Sequence, residues 1–229
     1  MASVELRLGG RPSVAATGTG STVSLSQYTV PAKARSLYDK AAEFMRRDKL
    51  EDSLKKVNAA LAIYPKFAEA LILRGVLEQN AGKLAEAIAD FQQAIQDDPS
   101  YPYGYLALAS LHNSTGHYKE SLLILAKAEQ LAPSAWQTYF ELSRAELQKG
   151  DFSNALHHLD HASELQGGPK KEAPELHLIR GYALIGLTQI PEAMHELETF
   201  LARKPNGEPS DQARKILEQL RGAAITAGR

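Results

Sequence analysis

The sequence predicts an all-α chain of stacked helical hairpins, and three series of residues carry that reading. Pro65, Pro99 and Pro133 recur every 34 residues. Gly82, Gly116 and Gly150 recur at the same interval, 17 residues after each proline, and Asp48 stands 34 before Gly82. Small residues keep the same register: Ser53, Ala87, Ser121 and Ala155, then Ala60, Ala94, Ala128 and Ala162. A period shared by independent series marks an array whose units bury their faces against their neighbours.

A leader, residues 1–33, comes first. Residues 4–8 alternate apolar and polar side chains and 22–30 nearly do, the pattern of two short strands. The stretch between them, with Gly9, Gly10, Gly18 and Gly20, reads as loop. Two strands alone are marginal in water, so the leader is read either as weak strands or as a disordered segment. If they form, the strands lean on the first repeat or pair with another copy.

Four repeats follow at 34–67, 68–101, 102–135 and 136–169. The insertion 170–173 precedes a fifth at 174–207, aligned by Gly181, Ala193 and Pro205. Each repeat reads as two helices, as in 68–81 and 83–96, with apolar residues at helical spacing. The glycine between them permits left-handed backbone and a tight turn, and the proline closes the second helix. Ser100, Ser134 and Asn206 are the expected N-caps of the following helices. Residues 208–229 hold a last amphipathic helix, with its stripe at Ala213, Ile216, Leu217 and Leu220 and an expected end at Gly222.

Composition narrows the chemistry. Twenty-six basic against twenty-seven acidic residues leave a net charge of −1 and no global attraction to nucleic acid. The absence of cysteine excludes disulfides, thiolate catalysis and Cys-ligated zinc. No run reaches the roughly 18 apolar residues of a membrane helix, so direct membrane insertion is not expected. The N-terminus lacks the pattern of a signal peptide, which implies a cytoplasmic protein as written. An upstream signal and β domain would move it to the periplasm or envelope. Gly18-Thr19-Gly20-Ser21 lacks the lysine of a phosphate loop, and no nucleophile elbow or zinc-protease motif occurs. His157, His158 and His161 include one i, i+4 pair but fall at solvent-facing places of a repeat. Neither an enzyme nor a cofactor is expected.

The segment from Ala68 to Gly75, then 82–88, Phe91, Ala94 and Pro99, resembles the tetratricopeptide repeat (TPR) family. Numbering places within each repeat, the match covers the small residue at 8, the glycine at 15, alanine at 20 and 27, the bulky residue at 24 and the closing proline. Lys40 and Arg74 depart from the usual apolar residue at place 7, and Phe200 replaces an alanine. The lead-in 30–35 also resembles that of bacterial envelope TPR proteins with an N-terminal β module.

The resemblance implies a right-handed superhelical solenoid that acts as a protein-interaction scaffold, with places 2, 5, 9 and 12 turned to a concave groove. Those places make Tyr38, Ile72, Val76, Tyr103, Leu106, Phe140, Arg144, Leu178 and Tyr182 the candidate partner-binding residues. The groove charges, Arg35, Glu69, Arg144 and Glu175, are of mixed sign. The expected ligand is a protein or peptide segment, held by apolar contact with a few polar anchors. The family's carboxylate clamp for chaperone tails is missing: Tyr38, Ala42, Leu73, Tyr103 and Ala107 stand where its Lys, Asn and Arg residues would be. The alternative reading is a structural spacer or self-assembly module that uses the leader strands.

Overall fold

The computed structural model describes residues 30–227, and eleven helices and no strand occur among them. In chain order they are α1 Ala32–Arg46, α2 Leu50–Ile63, α3 Ala68–Asn80, α4 Leu84–Asp97, α5 Pro102–Ser114 and α6 Tyr118–Leu131. Then come α7 Trp136–Lys149, α8 Phe152–Leu165, α9 Pro174–Gly186, α10 Ile190–Arg203 and α11 Glu208–Ala227. The strand and disorder readings of the leader lie outside the described residues. The chain forms two compact units, one ending at Leu111 and the other running on from His112.

Within a hairpin, the bulky residue at place 24 packs onto the small residue at place 8. A Cβ added to Gly75 would lie 2.5 Å from the Phe91 ring, and one added to Gly181 would lie 2.9 Å from Leu197. Phe91 and Leu197 are fully buried, so neither groove has room to spare. The small residue at place 20 acts similarly in the first hairpin, where the Ser53 hydroxyl donates to the Ala41 carbonyl at 2.8 Å. Phe200 fills space against the last helix, in a cluster with Leu178, Leu197, Ala213 and Leu217.

All five intra-hairpin turns use left-handed backbone. Gly82, Gly116 and Gly150 have φ of 77°, 83° and 84°, while Asp48 and Thr188 adopt 58° and 60° at the equivalent place. The turn after α3 shows the reason: Gly82 and Lys83 donate to the Gln79 and Glu78 carbonyls at 3.0 and 2.8 Å, satisfying orphaned helix-end acceptors.

The capping expectation is corrected in part. Ser100, Ser134 and Asn206 do not cap, because the chain makes one more turn before each helix begins at Pro102, Trp136 or Glu208. Tyr101 and Ala135 donate to the Asp98 and Ala132 carbonyls within those turns. The Asp98 carboxylate accepts from the Ser100 hydroxyl at 2.6 Å. The last helix also continues past Gly222, which lies inside α11.

The insertion before α9 is tied down by charge. The Glu172 carboxylate is fully buried and accepts from Arg180 at 3.0 Å. Arg203 donates to the carbonyls of Glu172 and Pro169, each at 3.0 Å. His177 lies between two acids, with Nδ1 2.6 Å from Glu196 and Nε2 3.0 Å from Glu172, the latter in contact but not aligned for a hydrogen bond. Burial would raise the Glu196 carboxyl, but the His177 hydrogen bond and the Arg180 charge outweigh it and hold that group below its usual range.

Candidate functional site

In the unit ending at Leu111, the first helices of the hairpins bring aromatic rings and one ion pair together. Tyr38 of α1 lies 5.1 Å from Phe67, ring centre to centre, and Tyr64 lies 6.3 Å from Phe67. The Arg35 guanidinium sits 4.5 Å above the Phe67 ring and 5.6 Å from that of Tyr38. It also bridges to Glu69 at 3.1 Å. Tyr101 and Tyr103 form a second ring pair at 5.4 Å.

Burial pushes the Tyr38 hydroxyl up to about 12, with the Glu69 charge adding to the shift. Tyr101 is raised well above its ordinary value by burial first, then by Glu69 and Tyr38. Both phenols therefore stay neutral through the physiological range, able to donate and to accept a hydrogen bond.

The candidates of this unit divide by exposure. Tyr38 and Tyr103 are half-buried. Ile72, Val76 and Leu106 are 3%, 4% and 3% exposed, so they form floor rather than open surface. Periodicity places a residue on a helix face without telling how far neighbouring helices cover that face. Phe67, Tyr64 and Tyr101 escaped the inner-place pattern because they precede the helices. The signal for two of them was the period itself, since Phe67 and Tyr101 are 34 residues apart.

In the unit from His112, Phe140, Arg144 and Leu178 are closed. Phe140 is 4% exposed and packs edge-on against Trp136, with ring centres 6.2 Å apart. Arg144, also buried, donates to both Glu141 carboxylate oxygens at 3.0 and 2.9 Å. Asn113 donates to the Glu141 carbonyl at 2.9 Å and its carboxylate at 2.8 Å, and Gln148 donates to the Asn113 carbonyl at 2.7 Å. Leu178 lies in the cluster beneath α11, and half-buried Tyr182 packs on that cluster. Burial raises the Tyr182 hydroxyl. A cavity of about 310 Å³ between α10 and α11, lined by Leu201 and Leu217, is rimmed by the Arg221–Glu198 pair at 2.6 Å.

The histidines serve packing. Tyr139 stacks edge-on against His161 at 4.2 Å and lies 6.3 Å from His158. Burial lowers His158 below its ordinary value, and His157 adds to the effect. Among the described residues no group of three His, Cys, Asp or Glu could hold a metal ion. No helix among them is long and apolar enough to cross a membrane.

A family model described as TPR repeat matches residues 79–116. Superkiller complex protein 3 of Mus musculus is 27% identical over 141 residues, which is 54% of this chain but only 9% of that protein. Among solved structures, a thermophilic TPR protein of Thermus thermophilus is similar with a TM-score of 0.68 at 16% identity, over 82% of this chain and 98% of that one. The APC/C hetero-tetramer Cut9–Hcn1 gives 0.75 at 18% identity, over 85% of this chain and 38% of that one. At such identities the structural likeness is one of fold, and it agrees with the helical hairpins, the left-handed turns and the place-24 side chains seated on place 8. The chain therefore has the fold of tetratricopeptide-repeat proteins, with a TPR repeat matched at 79–116.

Proposed function

We propose that this chain is a protein-interaction scaffold whose receptor surface is the inner face of the unit ending at Leu111. A TPR fold supports interaction scaffolds in general. The single observation that carries the finer reading is the half-buried aromatic group of Tyr38, Tyr101 and Tyr103 beside the Arg35–Glu69 pair. Tyrosine rings offer large rigid contact area with a polar tip, and together with arginine they are the usual anchors of protein interfaces. An extended or helical peptide would lay apolar side chains over Ile72, Val76 and Leu106 and exchange hydrogen bonds with the neutral phenols. Tyr182 is the corresponding half-open ring of the other unit, packed over Leu178, while Phe140 and Arg144 are buried. Nothing in the site calls for a reaction: binding is the whole mechanism, and a preformed surface lowers the ordering cost of docking.

The test is to select binders from a displayed peptide library on the whole chain and measure their affinity for variants by fluorescence anisotropy. Tyr38→Ala and Tyr103→Ala should each weaken the selected peptides about tenfold or more, the range of interface anchors. Peptides that bind both variants as well as the parent would place the receptor surface elsewhere.

A further inference from the structure

Repeats 2 and 5 carry a cation at place 7, and each time two helices supply partners, joined at Arg180 by Glu172 of the insertion at 3.0 Å. Arg74 is held by Asp90, at place 23 of its own repeat, through two contacts of 2.6 Å. Asn58, at place 25 of the preceding repeat, also accepts from it at 3.3 Å. Arg180 repeats the arrangement, with Glu196 at place 23 and Asp160 at place 25 of the preceding repeat, each 3.6 Å away. Repeats 3 and 4 avoid the charge with Leu108 and Leu142 at place 7.

Repeat 1 departs from both solutions. Its place 7 is Lys40 and its place 23 is Lys56, so two cations stand where Arg74 faces Asp90. Among the described residues neither lysine has an ion-pair partner. Two lysines at these places offer the hairpin no ion pair, and a single substitution would supply one. Repeat 1 as a whole has eight basic and five acidic side chains, whereas repeat 2 has two and six. Lys33, seven residues before Lys40 on α1, is exposed, as are Lys49, Lys55 and Lys66, and none of them is ion-paired among the described residues. At 3.6 residues per turn, place 7 lies roughly 140–200° around α1 from places 2, 5, 9 and 12, so this surface is separate from the inner face.

We propose that this edge of repeat 1, centred on Lys40 and Lys56, docks an acidic helix of a partner protein. The partner's carboxylates approach from the side on which Asn58 meets Arg74, since Lys56 itself fills the place of Asp90. A helix is the occupant because helices deliver both acceptors in repeat 2, and acidity follows from two lysines that have no ion-pair partner among the described residues.

The test uses the whole chain and a fluorescein-labelled alanine-rich peptide of about 18 residues, long enough to hold a helix, with glutamates at i, i+4 spacing. A lysine version of the peptide and a single-stranded RNA of equal charge are the comparators. The acidic peptide should bind, and the lysine peptide should not. Lys56→Asp, which restores the repeat-2 pairing, should weaken binding about tenfold while raising the melting temperature by about 2–4 °C. Lys40→Arg should keep the affinity, and so should Tyr103→Ala on the inner face. An acidic peptide that fails to bind, a Lys56→Asp variant of unchanged affinity or unraised melting temperature, or RNA that binds more tightly than the peptide would each overturn the proposal.

Discussion

The inner places of the repeat serve opposite ends in the two units. Before Leu111 they hold rings that stay half open around a partly exposed Arg35–Glu69 pair. After His112, Arg144 at place 9 is locked with Glu141 at place 6 and with Asn113, closed off from solvent, while Tyr182 stays half-buried. The difference shows that a repeat position determines direction but not accessibility. Buried charge fastens one unit, whereas half-buried rings give the other the surface proposed for a partner.

The comparison is broken most forcefully at its charges. Glu141→Ala should cost about 3–5 kcal/mol in urea denaturation, because Arg144 is left buried without its counter-charge. Replacing Glu141 and Arg144 together by leucine should recover most of that loss. Glu69→Ala, at the partly exposed pair, should cost no more than about 1 kcal/mol. Equal losses at the two sites would erase the distinction between the units.

Next in size are the glycine grooves. Gly75→Ala should cost about 1–3 kcal/mol, since the new Cβ meets the rigid Phe91 ring. Gly82→Ala meets no neighbouring atom, so its smaller cost of about 1–2 kcal/mol is purely that of left-handed backbone. The same physics run in reverse predicts that Thr188→Gly, at φ 60°, stabilises the other unit by up to about 1 kcal/mol.

The smallest effect at neutral pH grows with alkalinity. Tyr38 titrates near 10 unfolded and about 12 folded, so its contribution is intact below pH 10 and is lost as pH rises toward 12. Tyr38→Phe should therefore flatten the fall of stability above pH 10, by at most about 1.4 kcal/mol per pH unit. An unchanged slope would mean that the phenol is not desolvated.

Much of the architecture could be read before any coordinates. Glycine and proline mark where chain direction must change, and Asp48 could be placed by register alone although it is not glycine. The starts of α5, α7 and α11 could not, because an extra backbone turn shifts each past its serine or asparagine. At the candidate site, Tyr38 and Tyr103 could be named from their repeat places, and both are half-buried. That Ile72, Val76, Leu106, Phe140, Arg144 and Leu178 are covered was not, since cover comes from packing between elements distant in sequence. The partners of Arg74 and Arg180 were hidden for the same reason: a cation at an apolar place is explained only by the acid folded against it.

The most direct measurement pairs affinity with stability for one residue of each kind, using a peptide selected on the whole chain. Tyr103→Ala should weaken binding about tenfold or more at a stability cost of about 1 kcal/mol, the worth of a ring pair. Phe140→Ala should cost about 3–5 kcal/mol as a core truncation while the folded fraction binds normally. Unimpaired binding by the Tyr103 variant, together with lost binding by fully folded Phe140→Ala, would contradict the assignment of the receptor surface to the unit ending at Leu111.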